Sequence, residues 1–568
     1  MIGSASAATG SSRILPKGGG ALSDSLFLLL VVTLSVAPYI SGLGFYGDDW
    51  AFLGALVNAD NQSLGSMWDV QYAQSANLGR RPTQIVYQSL LFRAFALNPR
   101  GYHIVNAAVL ASAALLLYFV LREFDLERVI AVAIAAVYVL LPNYSTDRFW
   151  FAAFTYPLTI TLFLLSVYAF VRAIRSRFVE CWILLGVASL GAALLGNELV
   201  VPFAAALPVV LWVRERHLAT DRSIRLARVR RGAVFLSPLI VIVPAVFYKS
   251  TFVARSAIPD VFYVAFLGIG SVAVNVGTYG IGLPHTVSWA FSHLTWVELA
   301  LGTVLAALAF SYLSFISRSI APRALLSRWT EIALLGTAIF VLGAAIFLIA
   351  PIVAFWSAGV ANRVWIAASV GMAFGWVALS GWLSSWLSNW THDNRAFAAL
   401  VASVCVAGFV INSALSGFWV SAWRRQLDVL DDIRAAVPKM EHGTDFILDG
   451  VCPYVGPAIV FESNWDLAGA LRIVYRDLTI RADVTALDFS IGEDGLRTQL
   501  YGKSYFHAYN DNLLLFDHGT RTVRRLTNAG DARRYLSERA ECPEGAAGRG
   551  ALILPVDVWY EKGFRLWR

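Results

Sequence analysis

The sequence predicts an α-helical polytopic membrane protein of about eleven spans, with an exported α+β domain at its C-terminal end. Three observations carry the architecture. Of 568 residues, 57% are hydrophobic and 15% charged, whereas soluble domains run at roughly 45–50% and about 25%. The mean hydropathy of +0.61 is gathered into repeated apolar runs near the ~20 residues that cross a bilayer. Basic residues lie between these runs, so topology explains the net charge of +7 and nucleic acid is not expected as a partner.

The first apolar run, 26–45, follows a Gly/Ser-rich leader (1–25) charged only at Arg13, Lys17 and Asp24. No small-x-small cleavage signal stands behind it, so it reads as an uncleaved first span with a cytoplasmic start. Further runs begin near Tyr102, Val129, Tyr156, Cys181, Leu199, Gly232, Trp296, Glu331, Val364 and Ala396. Alternation then gives the leader and inner loops 18 Lys+Arg against 8 in the outer loops, as cytoplasmic retention of positive charge requires. The stretch 261–282 is long enough to span, but counting it would put Arg318, Arg323 and Arg328 outside. It is expected to be re-entrant or interfacial on the outer side, packed against protein.

The membrane module thus covers 26–416, with a long outer loop at 46–101, and residues 417–568 form the exported domain. Within that domain 446–448, 513–516 and 551–554 read as strands and 420–437 as a helix. Cys452 and Cys542, the cysteines of the polar region, are expected to pair as a disulfide. Cys181 and Cys405 fall in apolar segments.

The spans carry almost no ionisable residue at mid-depth, where ion pathways place theirs. Acids and arginines collect instead at outer ends: Asp48 and Asp49, Arg80 and Arg81, Asp147 and Arg148, Glu198, Arg255, and Arg363. The sharpest feature is Phe45-Tyr46-Gly47-Asp48-Asp49-Trp50. Adjacent carboxylates at a low-dielectric boundary repel, which raises the pKa of one and suits it to general-base work; an interfacial helix cap is the other reading. Asp147 and Glu198 could supply a second acidic group facing the same side. Arg363 could grip two phosphate oxygens at once, or merely snorkel. Arg255, Lys249, Arg80 and Arg81 are further candidates for a phosphate. His103 reads as a hydrogen-bonded interfacial residue, and His285 and His293 lack a paired acid at ligand spacing. The seven arginines of 214–231 follow from topology, the alternative being a site for anionic membrane-lipid heads or the diphosphate side of a carrier pool.

The order of an acidic pair after the first span, the step Arg81-Pro82, and Gly101-Tyr102-His103-x-x-Asn106 leading into the second span resembles the polyprenyl-phosphate-sugar-dependent glycosyltransferases of the GT-C class. The branch is that of the protein O-mannosyltransferases and the tetratricopeptide-linked mannosyltransferases. Residues 142–148, with Asp147, continue the likeness. So does Leu194-Leu195-Gly196-Asn197-Glu198, where Asn197 replaces the family's lysine. At Ala361-Asn362-Arg363 relatives often carry an Arg that meets the lipid phosphate. The resemblance covers about 26–416. It implies transfer of a sugar from a polyprenyl-phosphate carrier to an acceptor hydroxyl of a glycan, lipid or protein, on the outer face of a bacterial inner membrane, with inversion in one displacement. Asp48 would be the base and Asp49 would orient the acceptor or hold a divalent ion, the two roles being exchangeable; Arg363, Arg255, Arg80 and Arg81 would face the donor phosphate. The alternatives are a transporter or flippase of lipid-linked sugars, which should show inverted repeats, and a polysaccharide polymerase or ligase.

Overall fold

The computed structural model describes residues 20–74, 76–219, 228–251, 261–317, 326–348, 356–391, 395–485, 488–500 and 503–536. By length and composition, nine of the described helices are apolar enough to cross a membrane, and Ala21–Val36 and Arg128–Leu140 are shorter apolar helices. Ion pairs show which helix ends share a side. At one end Asp24 pairs with Arg128 at 2.9 Å, Glu123 with Arg172 and Arg175, Asp125 with Arg214, and Glu127 with Arg328. At the other end Glu198 pairs with Arg81 and Lys249.

Traced between these ends, eleven described helices run across: Ala21–Val36, Pro99–Glu123, Arg128–Leu140, Thr155–Arg175, Val179–Gly196, Val201–Ala219, Arg228–Ser250, Trp296–Ser317, Leu326–Leu348, Ile366–Thr391 and Arg395–Ala436. The set matches the number of crossings read from the sequence, and the loops alternate between the two ends as that reading has them. Val201–Ala219 is absent from the nine apolar candidates, and it carries Arg214, Glu215 and Arg216 in its second half. The first helix starts at Ala21 and ends at Val36, earlier than the apolar run suggests, because turns occupy 37–42. Arg128–Leu140 spans only ~20 Å, yet Val129 through Leu140 are all buried, so neighbouring helices rather than lipid surround it.

Helix Val261–Val272 continues as a π-helix over Ala273–Ile281. The crossing before it ends, and the crossing after it begins, at the Glu198 end. That is the placement expected of an interfacial or re-entrant segment, although its length and apolarity alone would suit a span. Its polar side is engaged: Asn143 donates to Asn275 at 2.6 Å.

The last helix, Arg395–Ala436, is ~63 Å long at 1.5 Å per residue. This is about twice the hydrocarbon thickness, so it passes unbroken through the expected boundary at 417 and its final turns belong to the C-terminal domain. Strand Asp445–Asp449 is paired in parallel with Arg481–Val484 and Leu513–Asp517, and Thr522–Arg525 closes the edge antiparallel. Helix Asn464–Tyr475 makes the first crossover, opened by a Ser463/Asp466 capping box. A separate antiparallel meander is built from Asp488–Ile491, Gly495–Leu500 and Lys503–Ala508. His507 ties it to the main sheet, bonding Asp445 at 2.8 Å and Asp483 at 3.2 Å.

The strands expected at 446–448 and 513–516 and the helix at 420–437 are present, while 551–554 lies outside the described residues. Cys452 is disulfide-bonded and Cys181 and Cys405 are free; Cys542 lies outside the described residues.

Candidate functional site

The turn that presents the acidic pair needs a glycine. Gly47 has φ +47° and ψ −118°, a conformation that L residues avoid. A Cβ there would also press on Ile459 and Trp150 at 3.2 and 3.3 Å. Helix Asp48–Val57 starts immediately after it. The Tyr46 N–H donates to Asp49 Oδ2 at 2.9 Å, the Tyr46 hydroxyl donates to the Trp419 carbonyl at 2.8 Å, and the Trp150 indole donates to the Tyr46 carbonyl at 2.7 Å. The acidic pair is thereby fixed between the first span, the loop after Arg128–Leu140 and the last helix.

The two carboxylates have different surroundings. Asp49 is buried, facing the backbone N–H groups of Tyr46, Ala152 and Phe151. Burial raises its pKa well above the usual range; the Tyr46 N–H opposes this and the Asp48 charge adds to it. Asp48 is half-buried and faces cations. Its pKa is raised by burial, against the pull of Arg363, the Trp465 indole and Arg81.

Arg363 stands between two acids. It acts on Asp48 and on Asp147, and its guanidinium lies over the Trp150 ring at 4.7 Å and near Tyr156 at 6.0 Å. The turn Val360–Trp365 that carries it is held by Asn362, whose amide donates to the Asn143 carbonyl at 2.8 Å and accepts from the Thr146 N–H at 3.1 Å. Asp147 is fully buried, and neither of its oxygens has a hydrogen-bond partner within the protein. Burial pushes its pKa well above the usual range, opposed by Arg363 and then Arg148. It makes no ion pair with its neighbour Arg148, which reaches Ser35 at 3.5 Å.

The chain of charges continues through Arg81, which faces Asp48 and pairs with Glu198 at 3.0 Å; Glu198 also holds Lys249 at 2.9 Å. Burial alone would raise Glu198, but Arg81 and Lys249 bring its pKa down to about 2. Asp147, Arg363, Asp48, Arg81, Glu198 and Lys249 therefore form one alternating electrostatic series at the outer end.

Arg80 lies beside Lys249, and Arg255 lies outside the described residues. His103 contacts the Gly44 carbonyl at 2.8 Å, the interfacial role read from sequence. Among the described residues no three His, Cys, Asp or Glu side chains converge as a metal-binding group. A cavity of about 360 Å³ lies elsewhere, between Arg424, Arg425 and Asp428 of the last helix and Tyr454 of the outer domain.

Sequence reasoning missed the outer domain's contribution. Helix Asn464–Tyr475 packs on helix Asp48–Val57 backbone to backbone. A Cβ at Gly469 would fall 2.3 Å from the Trp50 carbonyl oxygen, and one at Gly54 2.8 Å from that of Gly469. Gln426 of the last helix completes the seam, accepting from the Trp50 indole at 3.0 Å and donating to the Val460 carbonyl at 2.8 Å. Two small residues in otherwise apolar helices were the only signal available.

No protein-family model matches the chain, and no curated protein matches it. Among solved structures it overlaps ArnT from Cupriavidus metallidurans bound to undecaprenyl phosphate, at 14% identity over 76% of this chain and 83% of that one, with a TM-score of 0.33. It overlaps the Archaeoglobus fulgidus oligosaccharyltransferase in the apo form at 13% identity over 76% of this chain and 62% of that one, with a TM-score of 0.38. The oligosaccharyltransferase AglB from the same organism, in complex with an inhibitory peptide and a dolichol-phosphate, gives 13% identity, 75% and 53% coverage and a TM-score of 0.26. At scores this low the overlap is too loose to carry a function to this chain.

Proposed function

We propose that this protein is a GT-C-type glycosyltransferase that moves a sugar from a polyprenyl-phosphate carrier to an acceptor hydroxyl at the outer face of the membrane. The observation that carries the reading is the Arg363 guanidinium 4.7 Å over the Trp150 ring, whose indole donates to the Tyr46 carbonyl of the acidic turn at 2.7 Å. A base and a phosphate-binding cation from chain segments about 300 residues apart meet at one end of the helical bundle. The donor class comes from the sequence resemblance, and the chemistry from the site.

In the proposed step the Asp48 carboxylate takes the acceptor's hydroxyl proton as that oxygen attacks the anomeric carbon. The bond from that carbon to the phosphate oxygen breaks, inverting the centre, and the polyprenyl phosphate leaves with its electron pair. Burial makes Asp48 more basic than an exposed carboxylate, which favours uptake of the acceptor's proton. Arg363 meets the growing charge on the phosphate with a fork of N–H donors, and Arg81 and Lys249 extend the positive field. A phosphate is a weakly basic leaving group, so no strong general acid is needed. Asp49, held by backbone N–H groups, keeps the turn in shape; this favours Asp48 over Asp49 as the base.

The test is reconstitution in liposomes with radiolabelled polyprenyl-phosphate sugars and cell-envelope fractions as acceptors. Loss of label from the lipid with its appearance in one fraction is expected. Sugar movement across the bilayer without bond cleavage would instead identify a flippase.

A further inference from the structure

The cavity beside the last helix lies on the side away from the acidic turn. Ser421, Arg424, Arg425 and Asp428 line it, and their spacing puts them on one face of helix Arg395–Ala436. Trp419, Trp423 and Gln426 occupy the opposite face. There the Trp419 carbonyl accepts from the Tyr46 hydroxyl, Trp423 stacks on Trp50 with ring centres 5.8 Å apart, and Gln426 accepts from the Trp50 indole. The C-terminal domain supplies the rest of the lining, Tyr454 and Val455 among it, around a volume of about 360 Å³. The cavity is therefore separate from the proposed reaction site, with the helix between them.

Its charged groups are left for a ligand. Arg424, Arg425 and Asp428 are exposed and, among the described residues, form no ion pair, although Arg and Asp three or four apart on a helix can make one. Further along the same helix such groups are engaged: Arg434 pairs with Asp431 at 3.4 Å, and Asp432 with His518 and Arg521 at 3.3 and 3.2 Å. Two guanidiniums against one carboxylate give the cavity a net positive charge and N–H donors without a carboxylate partner.

Aromatic residues mark the depth at which the cavity opens. Phe418 stacks on Trp289 with ring centres 6.3 Å apart and lies 5.5 Å from the His293 ring, while Phe291 and Trp296 of the same helix connection are exposed. Such a cluster at the ends of crossings is the aromatic belt of a membrane interface. A Cβ at Gly456 would fall 2.5 Å from Phe418, so the residue after Val455 rests on the belt and the cavity opens just beyond it. Arg424 stands ~9 Å past Phe418 along the helix, and helical Cα–Cβ bonds tilt toward the N-terminus, here the membrane side. Long guanidinium arms reach from that height into a headgroup layer ~5–7 Å deep. One turn before Ser421 on the same face, a Cβ at Gly417 would meet nothing within 4 Å, so the path toward the bilayer is open.

We propose that this cavity binds the phosphate of an anionic membrane lipid, gripped by Arg424 and Arg425, and that the lipid ties the C-terminal domain to the bilayer surface. To test it, the full chain purified in detergent is titrated with phosphatidylglycerol or phosphatidylcholine, and bound lipid is counted by native mass spectrometry. The native protein should hold one more phosphatidylglycerol than the double variant Arg424→Gln/Arg425→Gln, a difference that sets this site apart from the arginines of the inner end. Each single variant should weaken that site about fivefold. Asp428→Asn removes a repelling charge and should tighten it. Equal uptake of phosphatidylglycerol by native and double-variant protein overturns the site, and so does a loss in Asp428→Asn as large as in the arginine variants. Phosphatidylcholine retained as well as phosphatidylglycerol overturns the demand for an anionic lipid. Displacement of the lipid by millimolar inorganic phosphate would assign the cavity to a soluble anion and overturn the lipid as its ligand. All the substituted side chains are exposed, and an unchanged thermal midpoint verifies that the variants fold. No turnover is measured, so the result is independent of the transfer reaction.

Discussion

The two ends of the helical bundle each bury an aspartate and treat it differently. At the inner end Asp24 is fully buried but satisfied: Tyr118 and Tyr312 each donate to it at 2.6 Å, and Arg128 bonds both oxygens at 2.9 and 3.0 Å. At the outer end Asp147 is equally buried with no hydrogen-bond partner on either oxygen within the protein, and Asp48 meets its cations at longer range. A buried charge costs free energy unless it is paired and hydrogen-bonded. The inner end meets that condition within the protein. The outer end leaves it open, which is where a substrate's hydroxyl and phosphate could complete the pairing.

The comparison can be broken most severely at Asp48. Asp48→Asn should reduce sugar transfer by ~10²–10⁴ while leaving the thermal midpoint and membrane insertion of the purified protein unchanged; near-normal transfer would remove Asp48 from the base role. The next test sets the two buried acids against each other. Asp24→Asn should destabilise the protein by about 3 kcal/mol, because it strips the charge facing Arg128, yet leave turnover per folded molecule intact. Asp147→Asn should change stability by less than about 1 kcal/mol and lower turnover. Thermal melts and rate assays on the same samples would show the two variants crossing over, and matched behaviour would erase the contrast between the ends.

A smaller effect is expected from Arg363→Lys. It keeps the charge and loses the forked donor set, so kcat/KM for the lipid donor should fall ~10-fold. The mildest effect concerns the outer domain. His507 is raised to about 9; burial opposes that, but the Asp445 and Asp483 hydrogen bonds outweigh it. A raised histidine adds stability that is fully present below its unfolded value of ~6.5 and is lost as pH rises through about 9. Melts from pH 6 to 10 should show that loss, and His507→Gln should flatten it.

Much of the membrane part is legible because a bilayer acts as a ruler. Apolar runs near 20 residues, with arginines confined to one side, fix the number and direction of crossings. The segment 261–282 shows the limit of length alone, since its apolarity suits a span and its neighbours place it at the outer end. The acidic pair was legible too, because Gly47-Asp48-Asp49 is local. Its internal division of roles was not: Asp49 turns toward the backbone of Phe151 and Ala152, about 100 residues away in sequence. The buried state of Asp147 was not legible either, because Arg148, its neighbour in sequence, reaches Ser35 instead of pairing with it once the loop is folded.

The sequence by itself determined the helical membrane-type architecture, the eleven crossings and the alternation of their loops between two ends. Each of these follows from hydrophobic length and charge placement, properties that short segments carry alone. Only the tertiary structure decided that Arg363 lies over the Trp150 ring beside the acidic turn, that Glu198 is shared by Arg81 and Lys249, and that helix Asn464–Tyr475 packs on helix Asp48–Val57. Those contacts join residues tens to hundreds of positions apart, and their geometry is set by how helices close-pack, down to the glycine pair at 54 and 469.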